Sequence, residues 1–272
     1  MGNKIHSLKK RFKRIHGFEL NLTNPRTFTE KMQWIKLNGN LERFSKYVDK
    51  YEVRQSIKEK IGEKHLVPLI GIYENVYDIK FESLPKSFVM KATHGCGWNI
   101  IVKDKSLIDW NKAREKMNRW VNSNYYDKTK EPNYKSLKGR VIIEELLQDP
   151  SGDLKDFRFF CFHGNPKYIQ VDGDRFNNHK RDLYNLNWNK LPYKVVYPNF
   201  PKTLDKPKRL NAMISIARQL AQGFPFVRVD LYYLNNHIYF GELTFVPSNG
   251  FNRYPIEYDR LLGNLLDLNR YV

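Results

Sequence analysis

Within residues 227–245, VRVDLYYLNNHIYFGELTF, a guanidinium and two carboxylates interrupt an otherwise apolar run: Arg228, Asp230 and Glu242. Apolar and polar residues alternate on either side of Asn235 and Asn236, the pattern of strand, turn and strand. With a three-residue loop of Asn235, Asn236 and His237, Asp230 faces Glu242 and Arg228 faces Thr244. Val227, Val229, Leu231, Leu243 and Phe245 then share the other, apolar face. A two-residue turn shifts the parity and drives Glu242 into that apolar face, so the patterning selects the odd loop. Opposed residues hold their Cβ atoms about 4.5–5.5 Å apart, where two carboxylates repel unless a cation lies between them. Mg2+ takes carboxylate oxygens of this kind, commonly sharing them with substrate phosphates. The competing reading is an ordinary half-exposed hairpin whose polar face is solvated and whose acids are neutralised by Arg228 and nearby lysines.

Upstream residues carry chemistry suited to phosphates. Lys91 ends a strand in VMKATHGCGWNII (89–101), and Gly95 and Gly97 follow in a tight loop. Glycines let backbone N–H groups approach an anion, and a lysine supplies a point charge. The spacing is neither that of a P-loop nor that of a dinucleotide fingerprint, and a Gly-x-Gly hairpin turn explains it equally. Cys96 and His94, in the same loop, have no assignable partner and read as loop residues. In GRVIIEELL (139–147) a buried strand ends in Glu144 and Glu145, then Leu146 and Leu147. Acids at a strand mouth suit ribose hydroxyls or an adenine amino group, with leucines against the base; a solvated strand end is the alternative.

The elements that must position these groups are legible as a mixture of α and β. TFTEKMQWIKLNG (27–39) holds a capping box, Thr27 and Glu30, with Gly39 as the stop. DKYEVRQSIKEKIG (49–62) repeats the logic with Asp49, Glu52 and Gly62. Strands are expected in HLVPLIGIY (65–73) and on both sides of the glycine loop. A helix is expected in SLIDWNKAREKMNRWV (106–121), and a hairpin turning at His163, Gly164 and Asn165 in DFRFFCFHGNPKYIQV (156–171). Residues 176–207 read as a loop-rich, basic stretch, followed by a helix in PKRLNAMISIARQLAQG (207–223).

At 272 residues the chain is long enough for two packed lobes, and 41% hydrophobic and 14% aromatic residues mark it as folded. Lys and Arg number 47 against 29 acids, a formal charge of +18, which favours a polyanionic partner such as nucleic acid, an anionic membrane, phosphates or an acidic polymer. Two cysteines without metal-ligand spacing indicate a reducing compartment and no disulfide framework. Neither a spanning segment nor a signal-peptide core is visible, so a cytoplasmic location is expected. The first 14 residues carry six Lys/Arg, with Ile5, Leu8, Phe12 and Ile15 at helical spacing. Such a helix suits either the inner face of an anionic membrane or docking on the rest of the fold.

In their order, these segments resemble the TupA-like ATP-grasp family, named for teichuronopeptide biosynthesis. The likeness runs from NPRTFTEKMQWIKL (24–37) through YVDKYEVR (47–54), LPKSFVMKATHGCGWNIIV (84–102), VIIEELL, DFRFFCFHGNPKYI (156–169) and FVRVDLYYLNNHIYFGELTF (226–245) to PSNGF (247–251). The resemblance implies an α+β ATP-grasp fold: a helical segment over 1–65, a small lobe over 66–143 and a large lobe with the metal site over 144–272, the lobes gripping ATP. It implies ATP and Mg2+ as cofactors. Lys50 and Lys91 would contact phosphates from two sides, with Gly95 and Gly97 in the loop above. Glu144, Glu145 and Leu147 would meet adenine, and Asp156 the ribose. Asp230 and Glu242 would bind metal, and Arg228 would stand beside the transferred phosphate. Thr244 stands where many ATP-grasp members have a metal-binding Asn, with Asn249 as a possible substitute.

The function so implied is an ATP-dependent carboxylate–amine ligase acting through an acyl phosphate. It would join an amino acid or amine to a uronic acid or acidic peptide of a cell-surface or capsular polysaccharide, with peripheral membrane contact through the N-terminal helix. A kinase-like or glycosyl-transfer component using the same ATP site is the alternative. A basic nucleic-acid or membrane-binding protein ranks last, because no RNA-binding, helix-turn-helix or zinc-finger signature is present, and no nucleic acid is expected as a partner.

Overall fold

A computed structural model describes residues 2–175 and 177–271; Phe176, at the start of the basic stretch, lies outside them. The chain opens with α1 (Gly2–His16), whose Phe12 is fully buried and meets Phe18 edge-on at 5.4 Å. Arg11 lies over the Phe251 ring at 4.1 Å. Phe12 thus anchors the helix, Ile5, Leu8 and Ile15 of the same stripe are half-buried, and Lys4, Lys9, Lys10, Lys13 and Arg14 are exposed. Helix α2 (Phe28–Asn38) starts at the expected capping box: Thr27 Oγ1 accepts from the Glu30 amide at 3.2 Å, and Glu30 Oε2 accepts from the Thr27 amide at 3.0 Å. A short helix, α3 (Ser45–Val48), and α4 (Val53–Ile61) follow. Between them Asp49 Oδ1 accepts from the amides of Tyr51 and Glu52, fixing the turn that carries Lys50.

The first sheet contains β1 (Leu69–Tyr73), β2 (Phe88–Ala92), β3 (Asn99–Val102) and β4 (Val141–Glu145), antiparallel throughout in the order β1-β4-β2-β3. Helix α5 (Trp110–Val121) buries Ala113, Met117 and Trp120 against it, and a short α6 (Tyr125–Thr129) leads back to β4. The division expected between residues 143 and 144 falls inside β4, where Glu144 and Glu145 still pair with Val89 and Phe88.

The second sheet is made of β5 (Asp156–Phe162), β6 (Asn165–Gly173), β7 (Lys180–Asn185), β8 (Phe226–Leu234) and β9 (His237–Thr244), ordered β7-β6-β5-β8-β9 and wholly antiparallel. Helix α7 (Leu210–Ala221) and α2 pack into its core, and α8 (Ile256–Asn264) lies beside α2. Phe28 of α2 reaches Phe160, Phe162 and Phe226 with ring centroids 6.2, 6.1 and 5.0 Å away. The helical N-terminal segment is thus part of the second sheet's core.

Two expectations are corrected. Strand β7 lies within the stretch read as loop: Arg181 and Asp182 are buried charges in it, so no apolar alternation marks it as a strand. The β8–β9 turn has two residues, not three: Leu234 pairs with His237, and Asn235 and Asn236 are both left-handed, with φ of 50° and 61°. Paired left-handed residues match the natural strand twist, which favours this short turn. A β-bulge then restores the parity that the turn shifts, because Leu231 pairs with Phe240, Asp230 pairs with Glu242, and Gly241 is the extra residue. The expected pairing is present, reached by another route.

Phe28→Ala should cost about 3–5 kcal/mol. Urea unfolding measures this, and a cost below about 1 kcal/mol would mean that α2 is not part of the second sheet's core.

Candidate active site

A cavity of about 340 Å³ lies between the two sheets and takes its lining from both. Lys50 is held to the first sheet by its amide, which donates to the Thr93 carbonyl at 3.0 Å, and its Nζ donates to the Gly95 carbonyl of the glycine loop. On β2, Lys91 Nζ donates to Glu144 Oε2 at 2.7 Å. Arg54 of α4 donates to the other oxygen, Glu144 Oε1, at 2.7 Å and to the Val67 carbonyl at 3.0 Å. Glu144, 6% exposed, therefore organises two cations along this wall.

The opposite wall is the β5–β8–β9 face. Arg228 grips Asp230 with two bonds, Nε to Oδ1 at 2.7 Å and Nη2 to Oδ2 at 2.5 Å. The same Nη2 reaches Glu242 Oε1 at 2.9 Å and Thr244 Oγ1 at 3.0 Å, and the Thr244 hydroxyl donates to Glu242 Oε1 at 3.1 Å. The two opposed acids thus share one guanidinium. Burial raises the Asp230 carboxyl, to about 6, against the pull of Arg228 and Arg158. Burial acts on Glu242 in the same sense, but Arg228, Lys50 and Arg158 outweigh it and hold it at about 2. Both acids are ionised at neutral pH.

The cavity brings together Lys50, Lys91, Gly97, Glu144, Asp156, Arg228, Asp230, Glu242, Thr244 and Asn249. Gly95 meets it through Lys50, whereas Glu145, which is exposed, and Leu147, half-buried, are not among the lining residues. Asp156 Oδ2 is taken by two arginines, Arg158 at 3.1 Å and Arg175. Asn249 is also engaged: its Oδ1 accepts from Lys36, and its Nδ2 donates to the Thr129 carbonyl at 2.9 Å.

Sequence reasoning passed over several lining residues. Arg158 stands two residues after Asp156 on β5, so strand alternation alone puts both on one face, and it pairs with Asp230 in the register. It donates to Asp172 at 2.9 Å and lies 3.5 Å from Asp230. Arg54 sits one turn after Lys50, a spacing that also carried a signal. Arg175, Tyr125, Tyr134 and Glu131 come from turns and a short helix whose placement no periodicity encodes.

A family model described as TupA-like ATPgrasp matches residues 30–267. Among solved structures the chain is similar to the D-alanine–D-alanine ligase of Coxiella burnetii, at 13% identity over 89% of this chain and 64% of that one, with a TM-score of 0.49. The Helicobacter pylori D-alanine–D-alanine ligase gives 14%, 81%, 61% and 0.43 in the same order. An L-amino acid ligase of Bacillus licheniformis gives 14%, 79%, 45% and 0.43. The chain spans less than two thirds of the length of each of these three. No match was found among curated proteins.

Glu144→Gln removes the acid that Arg54 and Lys91 share, and it should cost about 3 kcal/mol. Denaturant unfolding of this variant and of Lys91→Met, singly and together, checks it; fully additive effects would mean that the two side chains are not coupled.

Proposed function

Because the chain belongs to the TupA-like ATP-grasp family, we propose that it is an ATP- and Mg2+-dependent ligase that activates a carboxylate as an acyl phosphate and joins it to an amine. The reading rests on one observation above all: Lys50 and Lys91 from one wall, and Arg228 with Asp230 and Glu242 from the other, line a single cavity.

The residues present fit a magnesium nucleotide. Two ionised carboxylates paired across a hairpin, with a hydroxyl beside them, are the oxygen donors that Mg2+ takes. Among the described residues no group of three or more His, Cys, Asp or Glu could hold a metal, so its remaining ligands would be phosphate and water oxygens. Bound there, Mg2+ would neutralise phosphate charge. Lys50 and Lys91 would hold the phosphates from the glycine-loop side, and Arg228 would supply donors to the oxygens of the transferred phosphoryl group. No protein nucleophile is needed, since the substrate carboxylate attacks the terminal phosphorus, ADP leaves, and the amine later displaces phosphate from the acyl carbon.

The carboxylate is proposed to belong to a uronic acid or acidic peptide of a cell-surface polysaccharide. The family's name and the +18 charge support an acidic polymer as substrate. No helix among the described residues is long and apolar enough to cross a membrane. The exposed cations of α1 support contact with an anionic membrane surface, worth about 1 kcal/mol per basic residue near it.

Calorimetric titration with ATP, with and without Mg2+, tests the reading on the native protein and on Asp230→Asn and Glu242→Gln. Each variant is expected to lose at least about tenfold in MgATP affinity, about 1.4 kcal/mol. Affinity indifferent to Mg2+ and to both substitutions would sink the metal assignment.

A further inference from the structure

Glu131 is the one acid lining the cavity whose carboxylate, among the described residues, has neither a hydrogen bond nor an ion pair within 4.0 Å. It is 6% exposed and is among the residues that line the cavity, so burial disfavours its ionised form and no group of the described residues takes up its carboxyl oxygens. Every other acid lining that cavity is gripped: Glu144 by Arg54 and Lys91, Asp156 by Arg158 and Arg175, and Asp230 and Glu242 by Arg228.

The local structure holds Glu131 in place. Helix α6 ends at the left-handed Lys130, φ 58°, and Glu131 is extended, as a residue before proline must be. Its amide donates to Thr129 Oγ1 at 3.3 Å, and its carbonyl accepts from the Tyr134 amide at 3.1 Å. Asn249, in a turn where Ser248 and Asn249 are both left-handed, ties the Thr129 carbonyl to the second lobe. Tyr125 and Tyr134 line the cavity beside Glu131, their rings edge-on at 4.9 Å. The groups whose charge acts on Glu131 are Lys36 and Glu242. Lys36 gives its ammonium to Asn249 Oδ1 instead.

We propose that Glu131, with Tyr125 and Tyr134, forms a binding site for the ammonium group of a primary amine. A carboxylate supplies the counter-charge, and aromatic rings stabilise a cation that has left water. On the ligase reading, from which this role follows, the site seats the amine substrate in the same cavity as the lysines and arginines suited to phosphate, at the one lining acid that no cation grips. Burial holds the free carboxyl up, at about 8, and an ammonium at hydrogen-bond distance draws it back down, so binding releases a proton.

The probe is methylammonium chloride, titrated into the full chain labelled with 13C at the glutamate carboxyl carbons. The Glu131 signal is assigned by its loss in Glu131→Gln. The expected result is a saturable shift of that signal and a fall of more than one unit in its apparent pKa, with sodium chloride at equal ionic strength without effect. A signal that ignores methylammonium, follows sodium equally, or moves only with Mg2+ overturns the proposal. Glu131→Asp, which keeps the charge, should retain the proton release on methylammonium addition that Glu131→Gln loses; equal release from both would also overturn it. Failure of the native protein to bind MgATP would remove the ligase reading, while the methylammonium result would still decide whether the ammonium site exists.

Discussion

The candidate site depends on one constraint: two carboxylates on neighbouring strands must face each other without repelling the strands apart. Arg228 meets it by spanning Asp230, Glu242 and Thr244 with a single guanidinium. Its planar fork suits this in a way that an ammonium would not. The Gly241 bulge is the second half of the solution, because it sets Glu242 opposite Asp230 after a two-residue turn. A Cβ at Gly241 would stand 3.0 Å from the Asp230 carbonyl oxygen, so the residue is small where the two backbones crowd.

Behind that pair lies a longer chain of buried charge. Arg158 joins Asp156, Asp172 and Asp230, and Asp172 is held in turn by Arg181 and His179. Burial disfavours the Asp172 carboxylate, but the arginines outweigh it and hold it well below the usual range. Buried ion pairs of this kind add little net stability compared with apolar packing, whereas removing one member leaves an uncompensated charge. Their consequence here is positional. Each of the other acids lining the cavity is tied to a cation before any ligand arrives, whereas the Glu131 carboxylate is not.

The basic excess is unevenly spread in its effect. In the cavity, Lys50, Lys91, Arg54, Arg158, Arg175 and Arg228 converge on one space, and in α1 the cations face outward while Phe12 anchors the helix. Local cation density, rather than net charge, is what can select a polyanionic ligand. A protein that bound nucleic acid through charge alone would not need opposed carboxylates on a buried strand pair.

By itself the sequence determined the mixture of elements, the capping box before α2, and the pairing of Asp230 with Glu242. These are properties of local hydrogen bonding and of period-two alternation, which a chain carries in its residue order. The ordered motifs also determined the family. Only the tertiary structure decided how the pairing is reached, because a two-residue turn plus a bulge and a three-residue turn give the same parity. It alone revealed β7, whose buried Arg181 and Asp182 hide the apolar pattern. It alone brought Glu131 to the cavity, since α6 is tied to Asn249, a residue 120 positions from Thr129 in the chain.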